Sequence, residues 1–234
     1  MIITHDISWP ECLSNQLFPA IKKGWKDRKE KIHFFWGLGS NNLKEIEDVK
    51  RDGDEWWYVD VGYITEQITR YPTPKINDYD KTYFRIVKGN MHMTSGKPGD
   101  GSRHTKLLQQ GIDAEFKGWN TGECKHILLA PSSQTVCGYV HNLSQEDWIK
   151  QSTSEIKCYT DRTITMRNKP RPNNKWWGTD IKDVCYYVSG RLEDINERRM
   201  PAREDMTMWL RSVANNQFTL QEIEDGTAYK VLNA

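Results

Sequence analysis

Short apolar runs separated by polar, helix-compatible segments organise the first half of the chain. The first clear run is Ile32–Trp36 (IHFFW), which ends in the turn GLGSNN and is followed by the segment LKEIEDVK. This order predicts a strand, a glycine-rich turn and a helix. Two further strand candidates are residues 56–61 (WWYVDV) and 83–87 (YFRIV). The first half is therefore predicted to alternate strands with helical or loop connections.

The same alternation continues in the second half. Strand candidates are residues 127–130 (ILLA), 162–166 (RTITM) and Val184–Val188 (VCYYV), and a helix is predicted to begin at residues 144–147 (SQED). Strands that alternate with helices at this spacing favour a parallel sheet with right-handed crossovers.

A glycine-rich segment marks the predicted boundary between two halves. The segment TSGKPGDGSRH, between Met93 and Thr105, holds three glycines and a proline and few apolar residues, which is typical of a linker or mobile loop. The expected fold is α/β, with two Rossmann-like half-domains at 1–105 and 106–234, each with a parallel sheet.

The end of the chain has helix-start signals. Pro201 lies at a predicted helix start with Glu204 and Asp205 in the first turn, and Thr219 with Glu222 has the spacing of a capping box. These residues predict C-terminal helices that pack on the sheet.

Composition and charge exclude several classes of protein. The chain has 33 Lys and Arg against 32 Asp and Glu, so no overall field marks it as a nucleic-acid or membrane binder. Its five cysteines form no CxxC pair, which is the pattern of reduced intracellular thiols. The sequence has no apolar stretch of about 18 residues and no signal-peptide pattern at its start, so we expect a cytoplasmic protein without a membrane span.

The glycine-rich turn after the first strand is a candidate ligand site. Gly37, Gly39, Ser40 and Asn41 would present backbone N–H groups at a helix N-terminus, where an anion is favoured. The turn is neither a Walker loop nor GxGxxG, and a tight turn that needs glycine is the favoured interpretation.

Charged and aromatic residues at the next strand end are candidates for acid–base chemistry. Asp60 ends a predicted strand beside Tyr63, and Arg85 and His92 lie on or after the following strand. Asp60 could act as a general base, and His92 titrates in the useful range. The alternative is a structural salt bridge between Asp60 and Arg85. The other five histidines have no metal-ligand spacing and are interpreted as ordinary.

A second group of polar residues follows strands of the second half. Ser132 and Ser133 come after residues 127–130, and Arg167 and Lys169 leave the strand at 162–166. Ligands collect at the carboxyl ends of parallel strands, so these residues could bind a diphosphate. An ordinary Ser/Thr turn and a solvated basic loop are the alternatives.

Taken together, several segments resemble a bacteriophage family described as glycosyltransferase-like. The resemblance covers residues 34–232, and the segments that carry it are HFFWGLGSNN, WWYVDVGY, YFRIVKGN, ILLAPSS, TDRTITMRNKPRP and MPAREDMTMWLRSVANNQFTLQEIEDGTAYKVL. It implies a compact, GT-B-like relative of the two-Rossmann-lobe glycosyltransferases. The acceptor would lie on lobe 1–105 and a nucleotide-sugar, for example a UDP-sugar, on lobe 106–234.

The resemblance also implies roles for individual residues. Asp60 and Arg85 would face the cleft. The candidate catalytic residues are then Asp60 and His92, with the turn residues, Tyr63 and Arg85 at the acceptor. The donor diphosphate would be held by Ser132, Ser133, Arg167, Lys169 and Ser189. Such enzymes need no metal and no covalently bound cofactor, and one acceptor would be a 5-hydroxymethylated pyrimidine in double-stranded DNA, a DNA modification that requires the base to leave the stack.

One departure from the family keeps other functions open. Similar proteins follow the VCYYVS strand with a small-residue segment, a helix and another strand, whereas here Ser189 and Gly190 run directly into RLEDINERRMP. The main alternative is therefore a non-catalytic nucleic-acid- or protein-binding module that retains the fold. A methyltransferase or nucleotide hydrolase, based on the turn at residues 34–43 alone, is the third.

Overall fold

The protein was analysed as a computed structural model, which describes residues 1–6, 13–39, 41–65, 75–91, 97–112, 114–115, 126–167, 184–188 and 203–234. Two compact units divide the chain. The first unit contains Met1–Phe116 and Pro201–Ala234, and the second unit contains Lys117–Met200.

Both units contain helices and strands among their described residues. In chain order they are β1 (Ile2–His5), α1 (Ser14–Gly24), β2 (Ile32–Trp36), α2 (Asn42–Asp52), β3 (Glu55–Val61), β4 (Phe84–Lys88), α3 (Ser102–Gln109), β5 (His126–Leu129), α4 (Gln134–Val136), a π-helical turn (Cys137–His141), α5 (Gln145–Lys157), β6 (Thr163–Met166), β7 (Val184–Val188), α6 (Arg203–Asn215), β8 (Gln217–Phe218), α7 (Leu220–Glu224) and α8 (Thr227–Leu232). The predicted α/β class is confirmed at this level.

The first unit has a mixed sheet in the order β1-β2-β3-β4-β8. β1, β2 and β3 are parallel, but β4 runs antiparallel to both β3 and β8. The Gly62 N–H continues the antiparallel ladder by donating to the Tyr83 carbonyl over 2.8 Å. The prediction of an all-parallel sheet is wrong here, because a buried strand has the same apolar pattern in either direction.

Each face of this sheet has its own apolar layer. On the back face, Phe34, Trp57 and Ile86 pack with α1 and the C-terminal helices in the main core. On the front face, α2 lies over the parallel strands, where Glu45 reaches His5 and Lys50 covers the Trp56 ring. The strands β1, β2 and β3 are neighbours in that order. The first connection, through α1, runs over the back face, and the second, through α2, runs over the front face. The two crossovers have opposite hands, so the prediction of right-handed crossovers is wrong for one of them.

The C-terminal helices belong to the first unit. β8 pairs with β4, and α6 packs against α3 in a second core that includes Leu107 and Val213. The capping box of Thr219 and Glu222 is confirmed at the start of α7. The predicted division at residue 105 differs from the observed one because these long-range contacts return the chain end to the first sheet.

The predicted linker is partly helical. Its residues 102–104 open α3, and Gly99 lies so close to α6 that a Cβ there would come within 2.6 Å of the Asn215 side-chain oxygen. Gly99 also has a φ of 61°, which glycine adopts without strain. The described part of this segment therefore packs within the first unit and does not join two lobes.

The second unit has a small, fully parallel sheet in the order β6-β5-β7. Ile127 and Leu129 pack against Trp148 and Ile156 of α5. α5 begins where the sequence predicted, because the Ser144 hydroxyl accepts the Asp147 N–H over 3.0 Å and so caps the helix. The three predicted strands of this unit are confirmed.

Candidate functional site

Arg85 is the centre of a polar cluster on the front face of the first sheet. The β3–β4 register places it directly opposite Asp60. Only 6% of Arg85 is exposed, and its Nη1 donates to the Met91 carbonyl over 2.6 Å. Its Nη2 lies 3.2 Å from Asp60 Oδ2. We call Tyr58, Asp60, Tyr63 and Arg85 the Arg85 cluster.

Both oxygens of Asp60 accept hydrogen bonds. Oδ2 accepts from the Tyr58 hydroxyl over 2.9 Å as well as from Arg85, and Oδ1 accepts from the Val61 N–H over 2.8 Å. The salt bridge that the sequence left as the alternative for Asp60 is therefore present. Both carboxylate oxygens of Asp60 are therefore already engaged by donors of the protein.

Two tyrosines enclose the Arg85 guanidinium. Its central carbon lies 5.1 Å from the centroid of the Tyr58 ring and 4.5 Å from that of Tyr63. Burial, reinforced by the neighbouring Asp60 charge, raises the pKa of Tyr58 well above its usual range, so this hydroxyl stays protonated and donates. Tyr63 is 49% exposed, so the cluster has one side towards solvent.

The glycine-rich turn is built as a tight turn. Gly37 has a φ of 68°, and its N–H donates to the Val59 carbonyl. The Asn42 N–H donates to the Gly39 carbonyl, while the Asn42 side-chain amide donates to the carbonyls of Trp36 and Gly37. The N–H groups of Gly37 and Asn42 thus already donate to carbonyls of the protein and are not free to bind an anion. This favours the interpretation as a structural turn. Asn42, which is buried and fixes this turn, was missed by the sequence analysis.

Gly37 nevertheless belongs to the surroundings of the Arg85 cluster. Trp36 is in register with Val59, so the next residue, Gly37, lies beside Asp60. Glycine leaves no side chain there, and 38% of the Asp60 side chain is exposed. Asn41 precedes α2 without a side-chain cap, and Gly39 is exposed.

The carboxyl edge of the second sheet brings three predicted residues together. Leu129 is in register with Met166, and the Arg167 N–H donates to the Leu129 carbonyl over 2.8 Å. The chain then continues from Leu129 into Ser132 and Ser133, so both serines and Arg167 leave the same edge. Ser133 caps α4 by accepting the Val136 N–H, as the turn alternative predicted. The Ser132 carbonyl accepts from the Gln145 side chain over 2.6 Å.

Four of the predicted site residues, Ser40, His92, Lys169 and Ser189, lie outside the described residues. A further group was missed, because the sequence analysis interpreted His5 and His33 as ordinary. The two imidazoles lie 2.8 Å apart, between Glu45 and Asp54. No local pattern indicates this pair, since 28 residues separate the two histidines along the chain.

Among the described ranges, no three His, Cys, Asp or Glu residues are placed to hold a metal ion. None of the helices in the described part of the chain is long and apolar enough to cross a membrane. No protein-family model matches the chain, and no curated protein matches it either.

Proposed function

We propose that this protein is a glycosyltransferase that binds a nucleotide-sugar on its second unit and transfers the sugar to an acceptor held by its first unit. The proposed donor is a UDP-sugar or a related nucleotide-sugar. The proposed acceptor is a 5-hydroxymethylated pyrimidine in DNA, and the site of action would be the cytoplasm of the host cell of a bacteriophage.

The observation that carries this proposal is the shared edge of β5 and β6. Ligands of open parallel sheets bind beyond the carboxyl ends of the strands. Here the chain leaves that edge through two hydroxyl residues, Ser132 and Ser133, and through Arg167. Because the Ser133 oxygen accepts from Val136, its hydrogen can still donate to a phosphate oxygen. Hydroxyls and a guanidinium are donors suited to a diphosphate.

In sugar transfer, this edge would stabilise the leaving group. The acceptor oxygen forms a bond to the anomeric carbon as the bond from that carbon to the nucleoside diphosphate breaks. The departing diphosphate gains negative charge, which Arg167 and the two serines would stabilise. The acceptor proton must pass to a base. Asp60 and His92 are the proposed bases.

The experiment compares two arginines at opposite ends of one strand. Arg167 follows β6 at its carboxyl end, and Arg162 precedes β6 at its amino end. Binding of UDP-sugars, UDP and pyrophosphate is measured by titration calorimetry for Arg167→Ala and Arg162→Ala. We expect Arg167→Ala to weaken binding about tenfold or more, as the loss of a charge-assisted contact does, and Arg162→Ala to change it less than about twofold. Equal effects of the two variants, or no binding by the wild type, would contradict the proposal.

A second candidate is a non-catalytic nucleic-acid- or protein-binding module. It is favoured by the contacts of Asp60. Its ion pair with Arg85 and its bonds to Tyr58 and Val61 already satisfy it as a structural residue. A module of this kind would bind DNA with an affinity that falls as salt rises, and would release no nucleotide from any sugar donor. Release of UDP in the presence of hydroxymethylated DNA, but not of unmodified DNA, would exclude it.

A further inference from the structure

The segment that follows β3 carries the exposed member of the Arg85 cluster. Tyr63 is 49% exposed, and its ring centroid lies 4.5 Å from the central carbon of the Arg85 guanidinium. A half-exposed ring loses side-chain entropy when it is held in one position, so the backbone that carries it must be fixed. The contacts of the residues on either side of Tyr63 therefore decide whether the ring stays over Arg85.

Gln217 fixes the residue that follows Tyr63. The Gln217 side chain of β8 is fully buried. Its Oε1 accepts the Ile64 N–H over 3.0 Å, and its Nε2 donates to the Ile64 carbonyl over 2.9 Å. A side-chain amide has the same donor and acceptor groups as a peptide unit, so it satisfies both backbone groups of Ile64 as a neighbouring strand would. Gln217 thus replaces a strand partner beyond the end of β3.

The residues before and after this contact are tied to Tyr83. The Gly62 N–H donates to the Tyr83 carbonyl over 2.8 Å, and the Thr65 hydroxyl accepts the Tyr83 N–H over 2.7 Å. A Cβ on Gly62 would come within 2.8 Å of the Gln217 Oε1, so glycine at this position leaves room for the side-chain amide. The backbone is therefore held on both sides of Tyr63, although the ring between them is half exposed.

The register of the sheet places Gln217 in line with the Arg85 cluster. Arg85 is opposite Asp60 across β3 and β4, and Gln217 is opposite Arg85 across β4 and β8. Residues that are directly opposite each other in antiparallel strands have their side chains on the same face. Gln217 is itself anchored, because its carbonyl accepts from Arg103. The amide of Gln217 bonds the neighbour of Tyr63, so its influence on Arg85 passes through the Tyr63 ring.

We propose that Gln217 is a positioning residue of the Arg85 cluster. By bonding both backbone groups of Ile64, it holds the Tyr63 ring over the Arg85 guanidinium and so fixes the surface that a ligand of the cluster meets. A fully buried side chain cannot contact that ligand, so Gln217 acts only through Tyr63. The inference rests on the proposed function in one respect, which is that the ligand of the cluster is the acceptor.

The first test compares Gln217→Met with the matched control Gln110→Met. Methionine keeps a buried side chain of similar length but removes both bonds to Ile64. The Gln110 side chain accepts from the Tyr83 hydroxyl over 2.5 Å and donates to the Asp80 carbonyl over 3.1 Å. The control therefore also loses one accepted and one donated hydrogen bond. We expect each variant to lower the melting temperature by about 2–4 °C.

The readout that separates positioning from stability is the nuclear magnetic resonance signal of the Arg85 Nε–H group. This nitrogen is buried, so its hydrogen exchanges slowly with water. The nearby Tyr63 ring shifts the signal, and Tyr63→Leu gives its position without the ring. We expect Gln217→Met to move the signal most of the way to that position and Gln110→Met to leave it in place. An unmoved signal in Gln217→Met, or an equal movement in the control, overturns the proposal.

A second measurement uses the wild type alone, so it does not depend on a variant that folds. Hydrogen exchange of the Ile64 N–H reports its bond to Gln217. We expect this exchange to be slower than that of a free amide by about 100-fold or more, because the bond must open first. Exchange at the rate of a free amide overturns the proposal.

The third measurement connects the positioning residue to the proposed acceptor. Sugar transfer is assayed with a 5-hydroxymethylated duplex oligonucleotide and the UDP-sugar that binds in the calorimetric test. We expect Gln217→Met to raise the KM for the oligonucleotide about tenfold and to change that for the UDP-sugar less than about twofold. Equal changes in both values contradict a role on the acceptor side. Absence of transfer by the wild type contradicts the proposed function alone, because the Arg85 signal, measured without any ligand, still decides the role of Gln217.

Discussion

Two largely buried arginines of the first unit, Arg85 and Arg103, have similar kinds of partner. Arg103 of α3 donates to the carbonyls of Ala214 and Gln217 and to Glu222, and its guanidinium lies 4.3 Å from the centroid of the Phe218 ring. Arg85 likewise bonds a carbonyl and a carboxylate and packs on aromatic rings.

The difference between them lies in the carboxylate. The Glu222 side chain is 14% exposed and also pairs with Lys106, whereas the Asp60 side chain is 38% exposed. The Arg103 contacts close a junction between α3 and the C-terminal segment. The Arg85 cluster has the same interactions with one side open. An ion pair that is shielded from solvent, such as Arg103 with Glu222, supports the fold. An ion pair whose carboxylate is partly exposed, such as Arg85 with Asp60, can exchange one partner for a ligand.

The largest effect is expected from removing the closed junction. Arg103→Met keeps an apolar stem beside Phe218 but removes every donor to Ala214, Gln217 and Glu222. We expect the free energy of unfolding to fall by about 3 kcal/mol, because the largely buried carboxylate of Glu222 loses its main partner. Denaturant titration followed by circular dichroism measures it.

The control for this variant is Arg51→Met. Arg51 is 71% exposed and pairs with Asp48 on the surface of α2, so its loss should change stability by less than about 0.5 kcal/mol. Similar losses of unfolding free energy in the two variants would show that the contacts of Arg103 do not hold α3 to the C-terminal segment.

The next largest effect is a loss of stability at low pH through the Glu222 carboxyl group. Burial alone would raise the pKa of Glu222, but the hydrogen bond and charge of Arg103, with Lys106 and the Thr219 N–H, outweigh it and hold this pKa at about 2, below the ordinary 4.5. A lowered carboxyl pKa contributes stability above pH 4.5 that is lost as the pH falls towards 2. Allowing for screening by solvent, we expect a loss of about 1–2 kcal/mol.

Glu222→Gln isolates this contribution from the other carboxylates. The variant can still accept the Thr219 N–H but cannot titrate, so its stability should approach that of the wild type as the pH is lowered to about 3. Glu146→Gln, which removes an exposed pair with Lys150, serves as the control and should run parallel to the wild type. A constant gap between wild type and Glu222→Gln across this range would contradict the assigned pKa.

Local features of the sequence predicted local structure well. The caps at Ser144 and Thr219 depend on residues three apart, and both are present. The strand-end rule placed Ser132, Ser133 and Arg167 on one edge because the second sheet is parallel, as predicted. The pair of Asp60 and Arg85 was foreseen as an alternative, because these two opposite charges lie on consecutive strand candidates.

The sequence pattern alone could not predict contacts between residues that are distant along the chain. The direction of β4, the return of α6 to α3 and the contact between His5 and His33 all join residues that are distant in sequence. An apolar strand has the same composition whether its neighbour is parallel or antiparallel, and a histidine has no periodic partner. These features depend on tertiary packing, which decides between alternatives that local propensity leaves equal.

The smallest effect is expected at the open pair. Asp60→Asn removes the charge but keeps an oxygen for the Tyr58 hydroxyl, and Arg85 keeps the Met91 carbonyl and both tyrosine rings. We expect a loss of no more than about 1 kcal/mol, decreasing further in about 1 M salt because the exposed carboxylate is screened. Denaturant titrations of wild type and variant at low and high salt measure it. A loss as large as that of Arg103→Met would mean that the Arg85 cluster is as closed as the Arg103 junction, and it would then have no free side for the proposed acceptor.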